Sequence, residues 1–180
     1  GTWDLYVPFF EAGMHFLKSA GILSYISPNK YLSGTYGKGL RQYLLKECHI
    51  LSLTDVSHLS VFETASVYPV ISVLQKGSPK CDYLLKLHLP KTRTSQFMES
   101  EYSVAQQSSE ALEFLPENLW GFLLSPNLEI LRSLLRNCET LNSVARVCAT
   151  TTAAEADTLG ATLRPAPVGG WKTLNPGTID

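Results

Sequence analysis

The sequence has few cysteines, and they are widely spaced. Its four cysteines form no Cys-x-x-Cys pair and no Cys/His cluster, which argues against a zinc site. Scattered cysteines of this kind are typical of free buried thiols in a reducing compartment. The expectation is a cytoplasmic protein that binds no metal. The cysteines are Cys48, Cys81, Cys138 and Cys148.

Long hydrophobic runs and an excess of charge of one sign are lacking as well. No apolar stretch approaches the roughly 20 residues that a membrane-spanning helix needs, so no membrane contact is predicted. The first four residues, Gly-Thr-Trp-Asp, carry neither the basic region nor the cleavage site of a signal peptide. Charged residues make up 17% of the chain and the net charge is −1. This balance excludes a domain that binds nucleic acid by charge alone, so any such contact has to be local.

What the sequence does contain is an ordered alternation of helix and strand patterns. Leu5, Phe9 and Phe16 recur at helical spacing after Asp4, which suits an N-cap position, and Gly21 suits the end of this helix. Apolar runs predict strands at 22–27, 50–56, 67–74 and 83–89, and a second helix is predicted to open within 34–39. The connection between the second and third strands is too short for a crossover helix, so they are predicted to be antiparallel neighbours. Strand 83–89 alternates leucine with lysine and histidine, which is typical of an edge strand with one solvent-exposed face.

The composition predicts three regions. Residues 1–92 form an α/β unit with part of a sheet. Residues 93–118 are polar and acidic and are interpreted as a linker or a loosely packed excursion. Residues 119–180 begin a second, small α+β segment with a helix after Ser125-Pro126.

The motifs resemble a known family. The chain contains, in order, FFEAGMHFLKSAG, GILSYISPNKYL, YGKGLRQYLLKE, ILSLTDV and VFETASVYPVISVL. This order resembles the C-terminal half of the catalytic domain of adenine-specific DNA methyltransferases, nearest to the gamma-type enzymes of type I and type IIG restriction-modification systems. The resemblance covers residues 4–76. It implies the last strands of a Rossmann-like methyltransferase sheet, with the final strand antiparallel.

The second part of the chain carries a weaker resemblance to the same enzymes. LNSVARVCATTTAAEADTL is similar to the opening of their target-recognition region, and WKTLNPGTID to the strand that follows. In that strand Pro176 stands where the family often has threonine, which puts the local hydrogen bonding in doubt. The domain from residue 119 onward is therefore interpreted as the start of the region that reads the DNA sequence.

The resemblance implies a function for the whole protein. Enzymes of this family transfer a methyl group from S-adenosylmethionine to the amino group of a flipped adenine in double-stranded DNA. Their Gly-rich cofactor segment and their Asn-Pro-Pro-Tyr catalytic loop are not identified in this chain, which has no Pro-Pro pair. The chain is therefore predicted to be a fragment, inactive by itself, from a bacterial or archaeal restriction-modification or phage-defence protein.

Other readings of the chain stay open. One is a non-catalytic DNA-binding or subunit-contact module of such a system. Another is half of a different Rossmann-like enzyme that shares only the fold pattern. A half sheet also leaves an exposed strand edge, which predicts association with another chain or with the missing N-terminal half.

The end of the first strand holds the first candidate site. Pro28 and Asn29 lie at the carboxyl edge of the sheet, where open α/β sheets bind ligands, so both are predicted to line the base pocket. The alternative is a turn that Asn29 stabilises through its own backbone. The resemblance adds Phe62 as an aromatic face that stacks on the extruded base; the alternative is a phenylalanine that anchors its loop on the core.

Cationic and aromatic residues after this strand are candidates for phosphate contacts, which position DNA without reading its sequence. The alternative for each is an ordinary solvated helix face. Lys172 is added on its position in the recognition region alone. No catalytic, cofactor-binding or metal-binding residue is predicted in this chain. The predicted DNA-binding residues are Lys30, Tyr31, Lys38, Arg41 and Lys172.

Overall fold

The chain folds into two compact units, residues Gly1–Leu134 and Leu135–Asp180. The computed structural model describes residues 4–59, 67–92 and 100–146. Within the second unit the described residues, 135–146, contain the short helix Leu141–Val144. The strands and the candidate site belong to the first unit.

Five strands form one sheet. They are β1 (Ile22–Pro28), β2 (Cys48–Asp55), β3 (Pro69–Lys76), β4 (Leu84–Pro90) and β5 (Tyr102–Ser108). The helices are α1 (Tyr6–Phe16), α2 (Lys38–Glu47), α3 (Ala111–Phe114), α4 (Leu128–Asn137) and α5 (Leu141–Val144). Single 3-10 turns lie at Asn29–Leu32, Thr35–Gly37, Pro116–Asn118 and Trp120–Leu124.

The strand order is β1-β3-β2-β4-β5. Strand β3 is antiparallel to both β1 and β2, so β1 and β2 run parallel to each other on either side of it. Strand β4 is parallel to β2. The predicted α/β fold and the antiparallel pairing of the second and third predicted strands are therefore confirmed.

Strand β4 is not an edge strand, which corrects the prediction for residues 83–89. On one side it pairs with β2, and on the other it pairs with β5 along its whole length, from Leu84–Ser108 to Pro90–Tyr102. Strand β5 lies inside the segment 93–118 that was interpreted as a linker. It was missed because its side chains are mostly polar, so it is held by backbone pairing rather than by an apolar face. The compact unit also continues past residue 118 without a break.

The two faces of the sheet differ in how deeply they are buried. Residues paired across neighbouring strands lie on the same face of the sheet. Tyr25, Ser72, Leu53 and Leu87 form one such row, and its last three members are fully or almost fully buried. Helix α1 packs on this face, with the ring of Phe10 5.3 Å from that of Tyr25. Other core residues of the unit include Leu44, Leu112, Leu115, Trp120 and Leu123.

The adjacent row on the opposite face begins at Ile26 in β1 and ends at Val104 in β5. Both end residues are exposed, at 43% and 56% of their surface. Ile22, on the same face of β1 as Ile26, is 58% exposed. This apolar face at the β1 edge is therefore open to solvent in the described chain.

Two local predictions around α1 need correction. The helix begins at Tyr6 and no side chain caps it, so Asp4 does not act as the N-cap. After the helix the left-handed conformation falls on Ala20 (φ 60°) rather than on Gly21. Gly21 is instead needed for space, because a Cβ there would lie 2.9 Å from the carbonyl oxygen of Lys18. Of the three cysteines described, only Cys48 is buried; Cys81 and Cys138 are exposed, contrary to expectation.

Candidate functional site

A pocket of about 530 Å³ opens at the carboxyl edge of the two parallel strands β1 and β2. Its volume is within the range of small-molecule sites, and its position is where open α/β sheets bind ligands. Polar and apolar groups both line it, which suits a ligand with an aromatic body and hydrogen-bonding edges. The lining residues are Asn29, Lys30, Leu32, Ser33, Gly34, Tyr36, Asp55, Ser57, Gly121 and Leu124.

The first wall of the pocket is the turn that follows β1. Pro28 ends the strand opposite Pro69 of β3, and the backbone N–H of Asn29 donates to the carbonyl of Tyr68 at 2.8 Å. Asn29 and the exposed Lys30 then line the pocket. The structure thus brings these two predicted residues to the pocket, next to Pro28.

The end of β2 contributes a carboxylate that the sequence did not single out. Asp55 is the last residue of β2, and its Oδ1 accepts a 2.9 Å hydrogen bond from the backbone N–H of Ser57. Both residues line the pocket. The pocket therefore holds the Lys30 ammonium and the Asp55 carboxylate as opposite charges. An aspartate after a strand, followed two residues later by serine, is the sequence signal that could have found this turn.

Tyr31 is not a DNA contact, which corrects the prediction. Its side chain is fully buried, and its hydroxyl forms a 2.6 Å hydrogen bond with Oγ of Ser72 in β3. Its ring also packs against Phe10 of α1 at a centroid distance of 5.2 Å. Burial raises the pKa of the Tyr31 hydroxyl, so it stays protonated. Tyr31 therefore anchors the turn on the sheet and leaves its neighbours to face the pocket.

Arg41 is not a DNA contact either. The side chain is 0% exposed, and its guanidinium donates to three backbone carbonyls rather than facing solvent. The distances are 2.6 Å to Tyr31 and 3.0 Å to Gly34 from Nη1, and 3.2 Å to Glu117 from Nη2. Burial lowers the pKa of Arg41, and the Glu117 carboxylate opposes that shift. Lys38, at the start of α2, is exposed but does not line the pocket.

Tyr36 is an aromatic wall of the pocket that the sequence did not indicate. It lies in the second 3-10 turn and is half-buried. Its hydroxyl forms a 2.6 Å hydrogen bond with that of Tyr6 in α1, which fixes the orientation of its ring. Burial raises the pKa of Tyr6, and the hydrogen bond to Tyr36 raises it further. Phe62 and Lys172, two further predicted site residues, lie outside the described residues.

A second polar group lies at the same edge of the sheet. Nε2 of His58, three residues after β2, is 3.2 Å from Oγ of Ser100, and the ring of His58 is 6.2 Å from that of Tyr102. Burial and the Asp55 carboxylate raise the pKa of Tyr102. The sequence did not predict this group, because its members come from the loop after β2 and from residues 100–102 at the start of β5.

The one glycine-rich turn that could suggest a cofactor site begins with a glycine that packing requires. The sequence contains one Gly-x-Gly, Gly37-Lys38-Gly39, at the start of α2. A Cβ on Gly37 would lie 2.3 Å from the carbonyl oxygen of Tyr31, so the backbone of the first wall already occupies that space. Packing therefore accounts for Gly37, whereas a Cβ on Gly39 would meet nothing within 4 Å. Within the described ranges no group of three or more His, Cys, Asp or Glu residues is placed to hold a metal ion.

Sequence comparison identifies proteins that are similar to this chain. Residues 1–62 match the family model described as Eco57I restriction-modification methylase. The type II methyltransferase M.BanIII of Aneurinibacillus aneurinilyticus is 29% identical over 127 residues, which are 71% of this chain and 20% of the relative. Over these ranges the chain is similar to restriction-modification methyltransferases. A second methyltransferase of this kind, M.BstVI of Geobacillus stearothermophilus, is 32% identical over 73 residues, or 40% of the chain and 13% of the relative.

The fold agrees with a solved structure of a restriction endonuclease. The type IIG restriction endonuclease BpuSI aligns with a TM-score of 0.52 at 16% identity, over 79% of this chain and 18% of that protein. At this identity the likeness concerns the fold alone. The chain spans about a fifth or less of the methyltransferases that it matches. Over the described ranges, none of the helices combines the length and the apolar character needed to cross a bilayer.

Proposed function

We propose that this chain is the substrate-side part of a site-specific DNA adenine methyltransferase. The full protein would transfer a methyl group from S-adenosylmethionine to the amino group of an adenine extruded from double-stranded DNA. One observation carries the proposal: the segment that matches the methylase family supplies eight of the ten residues that line the pocket at the carboxyl edge of β1 and β2. A fold by itself does not assign an activity, so the chemistry of this pocket has to support it.

The pocket lining suits a flipped nucleotide. An enzyme that modifies a base has to take it out of the stack and hold it by its faces and its polar edge. Tyr36 offers an aromatic face, and Leu32 and Leu124 offer apolar contact. Asn29 and Ser33 offer an amide and a hydroxyl for the base edge or the sugar. We assign the second stacking face to Phe62.

The DNA backbone would be held by lysine side chains. Lys30 lines the pocket, and Lys38 is exposed at the start of α2. Together with Lys172 they are the proposed phosphate contacts, and Tyr31 and Arg41 are withdrawn from that set. Such contacts fix the register of the duplex and do not read its sequence.

The chain itself is proposed to be inactive. The Gly-rich cofactor segment and the catalytic loop of the family are not identified in it, and the first glycine of its one Gly-x-Gly is packed against the Tyr31 carbonyl. We propose that the remainder of a longer, cytoplasmic bacterial or archaeal protein supplies the S-adenosylmethionine site. S-Adenosylmethionine brings the methyl group, and the residues described here bind and orient the base.

The open edge of the sheet is the proposed contact with that remainder. Strand β1 pairs only with β3 among the described strands, and Ile22 and Ile26 expose their side chains on the open face. Unpaired strand edges of this kind associate with other chains. The isolated chain is therefore expected to self-associate in light scattering, and a variant with Ile22→Lys and Ile26→Lys to do so less. A monodisperse wild-type monomer would contradict this expectation.

A binding experiment tests the function. The chain is titrated into a fluorescein-labelled duplex that holds one adenine opposite an abasic site, and into the same duplex fully paired. Anisotropy should show tighter binding to the unpaired adenine, because extrusion of a paired base costs a few kcal/mol. Phe62→Ala should lose about 1–3 kcal/mol of this binding, the usual contribution of one stacked base. Phe62→Leu, which keeps an apolar side chain, is the matched control for loop anchoring and should lose less.

Two outcomes would redirect the proposal. Equal affinity for both duplexes would favour the second candidate, a non-catalytic DNA-binding or subunit-contact module, which the open β1 edge also supports. Absence of DNA binding would remove the functional proposal altogether. Incubation with tritiated S-adenosylmethionine and DNA should transfer no label, and turnover by the isolated chain would disprove its inactivity.

A further inference from the structure

Two segments that are far apart in the sequence meet at the pocket. The first is the turn after β1, residues 29–34. The second is residues 117–124, which follow the sheet, and of these Gly121 and Leu124 line the pocket, with Gly121 directly against Ser33 of the turn. The sequence divided this second segment between a linker and a recognition region, and neither was expected to form part of the pocket.

The buried guanidinium of Arg41 joins the two segments. It donates to the carbonyls of Tyr31 and Gly34 in and beside the turn, and to the carbonyl of Glu117 in the second segment. A guanidinium presents several donors in a fixed planar fork, so one side chain can hold carbonyls from both segments at once. A lysine ammonium is a compact point charge and cannot reproduce this geometry.

The backbone of the second segment is unusual where Arg41 contacts it. Glu117 and Asn118 have φ values of 53° and 55°, in the left-handed region that residues other than glycine adopt infrequently. Such conformations persist when the surroundings determine them. The bond from Arg41 to the Glu117 carbonyl is one such determinant.

The two segments also approach each other very closely. A Cβ on Gly121 would lie 1.9 Å from Oγ of Ser33 and 3.3 Å from its Cβ. A side chain at position 121 would force the Ser33 hydroxyl to rotate away and the Ser33 Cβ to yield by a few tenths of an ångström, which would change the lining of the pocket.

We propose that residues 117–124 form a second wall of the nucleotide pocket and that Arg41 is a positioning residue that holds this wall against the turn 29–34. The ligand of the two-walled pocket is a single extruded nucleotide, and this part of the inference rests on the proposed function. Arg41 touches no part of the nucleotide. It sets the width of the pocket indirectly, through its hydrogen bonds to backbone carbonyls of both walls.

Amide hydrogen exchange of the isolated chain tests the role of Arg41. Arg41→Lys keeps the positive charge but loses the planar fork of donors. The amide exchange rates should rise about tenfold or more in both 29–37 and 115–124, because hydrogen bonds from a charged donor are lost. Lys46→Met is the control, because it removes an exposed cation from the same helix. A rise in only one of the two segments would overturn the proposal. An equal rise in β2 and β3 would also overturn it, because that pattern indicates global destabilisation.

The second measurement does not depend on Arg41 variants and uses the duplex with the unpaired adenine. Gly121→Ala should weaken binding several-fold. Gly39→Ala, where a Cβ meets nothing within 4 Å, should bind as the wild type does. Wild-type affinity in Gly121→Ala would exclude residues 117–124 as a pocket wall. If the wild-type chain binds no DNA, the proposed function and the nucleotide assignment fail together, whereas the exchange result still decides whether Arg41 couples the two segments.

Discussion

The hydrogen bond between Tyr31 and Ser72 should be a measurable source of stability. Both side chains are fully buried and their oxygens are 2.6 Å apart. Removal of one partner leaves the other buried without it, which costs about 1–3 kcal/mol, whereas loss of a hydrogen bond with both partners removed costs about 1 kcal/mol. Tyr31→Phe and Ser72→Ala should therefore each lower the free energy of unfolding by about 1–3 kcal/mol.

The double variant gives the sharper result. If both hydroxyls act only on each other, the double variant should lose no more than either single variant, so the two effects should not add. The measurement is urea unfolding of the four proteins, with the midpoint and the slope compared. Tyr25→Phe, on the same face of the sheet, is the control and should change the free energy of unfolding by less than about 0.5 kcal/mol. Additive single effects, within about 0.5 kcal/mol, would show that the two hydroxyls do not stabilise each other.

Two further predictions concern backbone packing and pH. Gly37→Ala should destabilise the chain strongly, because its Cβ would lie 2.3 Å from the Tyr31 carbonyl oxygen. Gly39→Ala, in open space in the first turn of α2, should stabilise it by about 0.5–1 kcal/mol. Equal urea midpoints for the two variants would contradict this. Burial lowers the pKa of His88, and the positive charge of Lys86 lowers it further. Because protonation then costs more in the folded state, stability should fall as the pH drops below about 6.5 and through the folded pKa. His88→Asn should flatten this dependence, and an unchanged pH profile in that variant would refute the assignment.

The apolar elements were accessible from the sequence. The pattern of α1, the strands β1 to β3 and the antiparallel pairing of β2 with β3 follow from hydrophobic spacing and connection length, and the structure agrees with them. Strand β5 was not accessible, because a polar strand at the end of a sheet carries no hydrophobic signal and depends on backbone pairing with β4. Helix α2 begins at Lys38, at the end of the predicted window, since two 3-10 turns come first.

The site was predictable only in part. Asn29 and Lys30 follow a strand end, and their place at the pocket needs only the direction of β1. Arg41 was misplaced because a cation on a helix usually faces solvent. Its spacing held a contrary signal: Gly37, Leu40, Arg41 and Leu44 lie at i, i+3, i+4 and i+7, which is the buried stripe of the helix. What no pattern in the sequence could supply is that residues 117–124 return to the pocket, since this depends on the pairing of β4 with β2.

The position of β3 between β1 and β2 has a consequence for synthesis on the ribosome. Strands β1 and β2 both leave the ribosome before β3, and they cannot reach their final pairing until β3 is inserted between them. Pairings between strands distant in the sequence form slowly, and strands that have not yet paired are prone to aggregate. A nascent chain that stalls before residue 76 would therefore present two unsatisfied parallel strands, and chaperone dependence should be greatest at that length.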